Sequence, residues 1–263
     1  MTAPAIPQPD ALPDLTDRVV VVTGASRGIG YFLAKHAASA GAHVVALART
    51  VGGLEELDDE IKRDGRGAAT LVPLDVTDGP GIDRLGQAIN DRWGRCDAMI
   101  ANAGVLGTIS PVGHIEAKTF DQVMNANVTA VWRLARTLDP LLTNTPDARA
   151  LIMSSGAAHS CKPYWGAYAS SKAAVEALAR VWAAESEPTH LKVNSVNPGA
   201  TRTQMRAKAM PGEDKAKLPE PADVARAVVG LLDPALPHNG RLYDVRRGAW
   251  LDYAAPGPVD TVD

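Results

Sequence analysis

The chain is poor in the residues that build metal sites and disulfide frameworks. Its 263 residues hold two cysteines, Cys96 and Cys161, far apart and outside any CxxC-like spacing, which predicts two reduced thiols. The six histidines (His36, His43, His114, His159, His190 and His238) stand singly with no HExxH pair, so no metal is expected. Charge of one sign is also lacking. The 27 basic and 30 acidic side chains leave a net charge of -3, with no broad basic field for nucleic acid or an anionic lipid surface. No stretch approaches the ~18 apolar residues that cross a bilayer. The first residues, MTAPAIPQPDALPDL, lack the basic start and apolar centre of a signal peptide, and their prolines bar a helix. These absences predict a cytoplasmic protein with no membrane or nucleic-acid partner, in which residues 1–15 form a flexible lead-in.

With 46% hydrophobic and 22% charged residues, the sequence supports a substantial core. Short β-branched runs alternate with segments of helical period. Strands are expected at RVVVVT, HVVALA, TLVPLD, AMIAN, ALIMSS, LKVNSVN and RLYDV, and helices from about Gly28 and over 54–63, 82–93, 120–142, 165–187 and 222–232. Strand-helix alternation implies a parallel sheet covered on both faces. No repeat, long linker or compositional break marks a second domain, so residues 16–263 are expected to form one α/β domain.

The first strand runs directly into TGASRGIG, Thr23 to Gly30. Glycines let the backbone turn sharply and approach a ligand, and the start of the following helix offers amide N–H groups to a phosphate. Gly24, Gly28 and Gly30 are spaced GxxxGxG rather than the common GxGxxG. Dinucleotide sites usually place an acid at the end of the second strand, where it meets the ribose of NAD. Here Ala48, Arg49 and Thr50 stand there instead. A guanidinium suits the extra 2′-phosphate of NADP, and Arg27 in the glycine turn can approach from the other side. NADP(H) is therefore expected over NAD(H), on a doubly wound, Rossmann-type sheet of about seven parallel strands with helices on both faces.

In YWGAYASSK, Tyr168 and Lys172 are four residues apart and share a helix face, while Ala169, Ser170 and Ser171 turn away. A free tyrosine titrates near pH ~10, and a neighbouring cation lowers that value. Such a phenol can work as acid or base. Tyr164 has no lysine four residues on and reads as a loop or pocket-wall residue.

The glycine turn, the tyrosine and the lysine together resemble the short-chain dehydrogenase/reductase family, and further segments match in family order over about residues 15 to 245. TGASRGIG resembles the family's TGxxxGxG, ANAG its NAG motif, and NPGATRT its segment beside the nicotinamide. WGAYASSK through VNPGATRTQMRA is similar to a bacterial branch of YciK-like reductases. The resemblance implies that Tyr168 is the proton donor or base and that Ser155, 13 residues earlier, hydrogen-bonds the substrate oxygen. It implies that Lys172 lowers the phenol's pKa and binds the nicotinamide ribose, and that Asn127 holds a water linking Lys172 to solvent, a role compatible with an asparagine that satisfies backbone groups in a kinked helix. For the cofactor it implies contacts from Gly24, Ser26, Arg27, Gly28, Ile29, Gly30, Arg49, Asp75, Val76, Asn102, Ala103, Gly104, Pro198, Gly199 and Thr201 or Thr203, besides Tyr168 and Lys172. It also implies a homodimer or homotetramer built through the helices that carry Asn127 and Tyr168.

The expected activity is hydride transfer between NADP(H) and a small carbonyl or alcohol substrate, beneath a lid at about 201–220. Leu106, Tyr164, Trp165, Met205 and Met210 suit an apolar substrate, and Arg202, Arg206 and Lys208 an anionic one. The rival from another class is an NADP-binding regulatory or scaffold protein on the same fold. Such a binder has no chemical need for the Tyr168 and Lys172 pair. A hydrolytic role for Ser155 lacks a GxSxG elbow around it.

Overall fold

The computed structural model describes residues 5–254. Strands β1 (Val19–Thr23), β2 (His43–Ala48), β3 (Ala68–Pro73), β4 (Ala98–Ala101), β5 (Arg149–Met153), β6 (Lys192–Asn197), β7 (Leu242–Asp244) and β8 (Ala249–Leu251) form one sheet in the order β3-β2-β1-β4-β5-β6-β7-β8. Every pairing from β3 to β7 is parallel; β8 returns antiparallel on β7. The seven expected strands are present, and the eighth is a short edge addition. The order reverses between β1 and β4, the switch point at which doubly wound sheets open a crevice beyond their strand ends.

The valine run of β1 explains the two-faced core. Side chains alternate along a strand, so Val20 and Val22 pack on one face while Val19 and Val21 pack on the other. The first face is covered by α1 (Gly28–Ser39), α2 (Val51–Asp64) and α9 (Pro221–Gly230), through Leu33, Leu54, Leu57, Ile61, Val224 and Val228. The second is covered by α3 (Gly79–Trp93), α5 (Ala130–Thr143) and α7 (Gly166–Glu185), through Ile82, Ile89, Leu134, Leu138, Val175 and Ala179.

The helical stretch expected over 120–142 is interrupted. Helix α4 (Ala117–Met124) passes through one wide π-turn at Asn125–Thr129 before α5 begins. Such π-turns often mark functional positions. Short α6 (Ala157–Ser160) follows β5, and α8 (Gln204–Ala209) follows β6.

Residues 5–15 form no helix or strand, yet they are docked rather than free. Ile6 and Leu15 are buried in the first core face, Gln8 Nε2 donates to the Asp223 carbonyl at 2.9 Å, and Arg226 Nη2 donates to the Pro9 carbonyl at 3.2 Å. Apolar side chains spaced between the prolines supply that anchorage. Among the described residues no helix is long and apolar enough to cross a membrane, and no group of three or more His, Cys, Asp or Glu converges as a metal requires.

Candidate active site

The ends of strands β1 to β6 build the crevice. After β1 the chain turns through Gly24 (φ +70) and Gly28 (φ +60), left-handed conformations that glycine adopts without strain. Gly30 is required for a different reason: a Cβ there would lie 2.2 Å from the Gly24 carbonyl oxygen and 2.4 Å from Asn102 Nδ2. Beyond β4, Asn102 and Ala103 both donate backbone N–H groups to Thr23 Oγ1 at 3.0 Å, and Asn102 Nδ2 donates to the Thr23 carbonyl at 2.9 Å. The glycine turn and the Asn102–Gly104 loop are thereby a single unit.

Helix α1 starts at Arg27 with no side-chain cap and no acid in its first turn, so its N-terminal amides and Ser26 and Ile29 beside them are open to an anion. At the end of β2, Arg49 is 64% exposed and its Nη1 lies 3.6 Å from Asp75 Oδ2. Asp75 is fixed by Thr77, whose N–H and hydroxyl donate to its Oδ1 at 2.9 and 2.8 Å; Val76 lies between them. No acid stands at the β2 terminus, and Arg27 is exposed in the turn opposite. The donor set, with a glycine cradle, an uncapped helix start and two arginines, fits the phosphates of a dinucleotide.

On the other side of the switch point, α7 presents Tyr168 and Lys172 toward the end of β5. Lys172 is buried, and its Nζ donates to the Met153 carbonyl at 2.7 Å and lies 5.7 Å from the centre of the Tyr168 ring. Burial pulls the ammonium down from the usual lysine range to about 8, against the opposing charge of Glu176. Burial also raises the Tyr168 phenol, and the Ser155 hydroxyl facing it pulls the other way. The sequence expectation that Lys172 lowers the phenol's pKa is therefore corrected: burial has the largest effect and raises it, and Ser155 is the group that opposes it.

Asn127 sits in the π-turn, 1% exposed. Its Oδ1 accepts from the Val105 N–H at 2.8 Å, and its Nδ2 donates to the Val105 carbonyl and to Ser171 Oγ, each at 2.9 Å. Gly104 lies between it and the lysine: a Cβ there would be 3.1 Å from Asn127 Oδ1 and 3.7 Å from Lys172 Nζ. Ser171, expected to turn away from the site face, is fully buried as the link between α7 and Asn127.

Beyond β6, Pro198 and Gly199 (φ +70) make the turn that carries Thr201 and Thr203. Thr201 is buried, and Thr203 Oγ1 caps α8 by accepting from the Arg206 N–H at 3.2 Å. A Cβ on Gly28 would meet the Thr203 methyl at 3.6 Å, so the glycine turn and this segment face each other across the crevice. Asn197, in sequence only the first residue of NPGATRT, accepts on its Oδ1 from the Gly156 and Gly199 N–H groups at 2.9 and 3.1 Å, tying the loop after Ser155 to the turn after β6. An asparagine ending a strand before Pro-Gly was its only signal. Tyr164 lies in the loop above the site, 55% exposed, at φ +76. Of the basic residues after β6, Arg206 is clamped on Glu213 at 2.5 and 2.6 Å, and Arg202 pairs with Glu220 at 2.5 Å.

Residues 18–214 match the family model for short chain dehydrogenases. The oxidoreductase YciK of Escherichia coli (strain K12), itself uncharacterized, is 35% identical over 237 residues, covering 89% of this chain and 94% of that protein. A short chain dehydrogenase structure from Pseudomonas syringae superposes with a TM-score of 0.87 at 36% identity, over 92% of this chain and 99% of that one. A second, from Shigella flexneri 2a str. 301 and complexed with NADP, gives a TM-score of 0.83 at 34% identity, over 90% and 100%. With the glycine turn, the serine, tyrosine and lysine all at one crevice, the chain belongs to the short-chain dehydrogenase/reductase family of oxidoreductases, in its YciK-like branch.

Proposed function

We propose that the protein is an NADPH-dependent reductase of a small carbonyl compound, working in reverse on the corresponding alcohol. The observation that carries this reading is the meeting of Ser155, Tyr168 and Lys172 at the end of β5, across the switch point from the glycine turn. Bound NADPH supplies the hydride that reaches the carbonyl carbon. The chain supplies the rest. Ser155 donates a hydrogen bond to the carbonyl oxygen, where negative charge develops. Tyr168 gives its phenolic proton to that oxygen, and its raised pKa keeps the proton on the ring until then. Lys172 stabilises the phenolate left behind and reaches the ribose hydroxyls of the nicotinamide half. Asn127 holds the loop at Val105 against α7.

Arg49 and Arg27 take the 2′-phosphate of NADP, and a relative at 34% identity complexed with NADP supports that preference. The segment at 201–220 serves as the lid. With Arg202 and Arg206 already paired with acids, Lys208 alone of the three basic residues remains for an anionic substrate, and an apolar carbonyl compound against Leu106, Tyr164, Trp165, Met205 and Met210 is favoured. Exposed apolar side chains on the helices carrying the site, Trp132 on α5 (45%) and Val181 on α7 (55%), support assembly into a dimer or tetramer through those helices. Sedimentation at micromolar concentration checks this, and a monomer alone contradicts it. The reaction itself is tested by NADPH oxidation against aldehydes and ketones, with product analysis separating net reduction from dehydration or epimerisation.

A further inference from the structure

The helix spacing that joins Tyr168 to Lys172 continues one turn further to Glu176, a carboxylate whose side chain is only 5% exposed. A carboxylate is not left in a protein interior without partners, and this one has several. Ser154 Oγ donates to its Oε1, and His159 Nε2 from α6 lies 2.9 Å from its Oε2. The Tyr253 phenol after β8 lies beside it, with the Ser195 hydroxyl of β6 next to that phenol, and both hydroxyl oxygens are buried. From its own helix, Lys172 approaches on one side, and Arg180 on the other rests over the Tyr253 ring at 4.7 Å.

These contacts fall on consecutive residues of one strand end. Lys172 grips the Met153 carbonyl, Glu176 grips the Ser154 hydroxyl, and Tyr168 faces Ser155. We propose that Glu176 is a positioning residue for the proton-transfer site: through Ser154 it holds Ser155 against Tyr168, and from one helical turn beyond Lys172 it sets an opposite charge in the same buried place. Burial drags the Lys172 pKa down and the Glu176 carboxylate resists that drag, in agreement with the geometry. His159, with a side chain 49% exposed, ties the same carboxylate to the loop over the site.

The inference rests on Tyr168 and Lys172 being the acid-base pair, but its test needs no substrate. Lysine labelled with carbon-13 at Cε reports the Lys172 titration by NMR, with Lys172→Met identifying the signal. Glu176→Gln keeps the shape and an acceptor for Ser154 but removes the charge. The Lys172 midpoint is expected to fall by about half a pH unit or more. Ser154→Ala keeps the charge and breaks the tie; there the Lys172 midpoint stays, while the Tyr168 phenol, followed by ultraviolet difference against Tyr168→Phe, titrates higher as Ser155 loosens. An unmoved lysine in folded Glu176→Gln overturns the charge role, and an unmoved phenol in Ser154→Ala overturns the positioning role. If Glu176→Gln does not fold, Glu176→Asp replaces it: a smaller fall in the Lys172 midpoint is expected, and none overturns the proposal. A shifted lysine without turnover on any carbonyl compound rejects the reductase reading alone, and turnover without the shift rejects Glu176 alone.

Discussion

Replacing Asn127 by alanine removes three hydrogen bonds at once: the Val105 N–H to Oδ1 at 2.8 Å, and Nδ2 to the Val105 carbonyl and to Ser171 Oγ at 2.9 Å. A typical internal hydrogen bond contributes about 1 kcal/mol net, so complete loss would cost about 3 kcal/mol. Val105 is only partly buried and water can re-satisfy it in part, whereas Ser171 is sealed from solvent. The expected loss is therefore about 2–3 kcal/mol, which lowers the melting temperature of a domain of this size by roughly 4–12 °C. Urea unfolding followed by tryptophan fluorescence and circular dichroism measures it. Exposed Asn125 in the same π-turn is the control, since its alanine variant removes no such network and is expected to stay within about 0.5 kcal/mol. If the two variants lose the same stability, or Asn127→Ala melts within ~2 °C of the parent, Asn127 does not clamp the Val105 loop to α7.

Arg49→Ala removes a guanidinium from the β2 terminus and is expected to weaken NADPH binding roughly ten- to hundredfold, the worth of a charge-assisted hydrogen bond, while NADH binding stays put. Calorimetric titration with both cofactors decides, and equal weakening of the two would remove Arg49 as the 2′-phosphate contact. Lys172 gives a pH signature. Its folded pKa is about 8 against 10.5 for a free lysine, so between these values the unfolded chain binds more protons and wild-type stability climbs as pH rises. The stability gap between cofactor-free wild type and Lys172→Met should hold constant below about pH 8 and move in favour of wild type from there to 10.5. Urea unfolding across that range checks it, and a gap independent of pH contradicts the burial of the ammonium.

Local spacing was what the sequence made legible. The valine run of β1, the glycines at 24, 28 and 30, and the four-residue step from Tyr168 to Lys172 each express a backbone period or a steric demand confined to a few neighbours. Their outcomes, a two-faced core, a crossed turn against Asn102 and a shared helix face, follow directly. Less legible were features set by residues distant in sequence. A helical period over 120–142 does not announce the π-turn that aims Asn127 at Val105, and Ser171 reads as outward-facing until that asparagine meets it. The docking of residues 5–15 depends on α9, over 200 residues away in sequence. The direction of the Tyr168 shift depends on how much water the whole crevice excludes, which no spacing records. Glu176 was within reach, because the step of four that selects Lys172 selects it next.

The proposed reaction stands or falls on the oxidation of NADPH and NADH by the protein with a panel of aldehydes, ketones, diketones and quinones, beside Tyr168→Phe. Turnover is expected to prefer NADPH, to convert a carbonyl to an alcohol and to disappear in the phenylalanine variant. Cofactor binding without turnover on any of these compounds would favour a dinucleotide-binding regulatory or scaffold protein, and turnover that survives in Tyr168→Phe would remove the phenol as the proton donor.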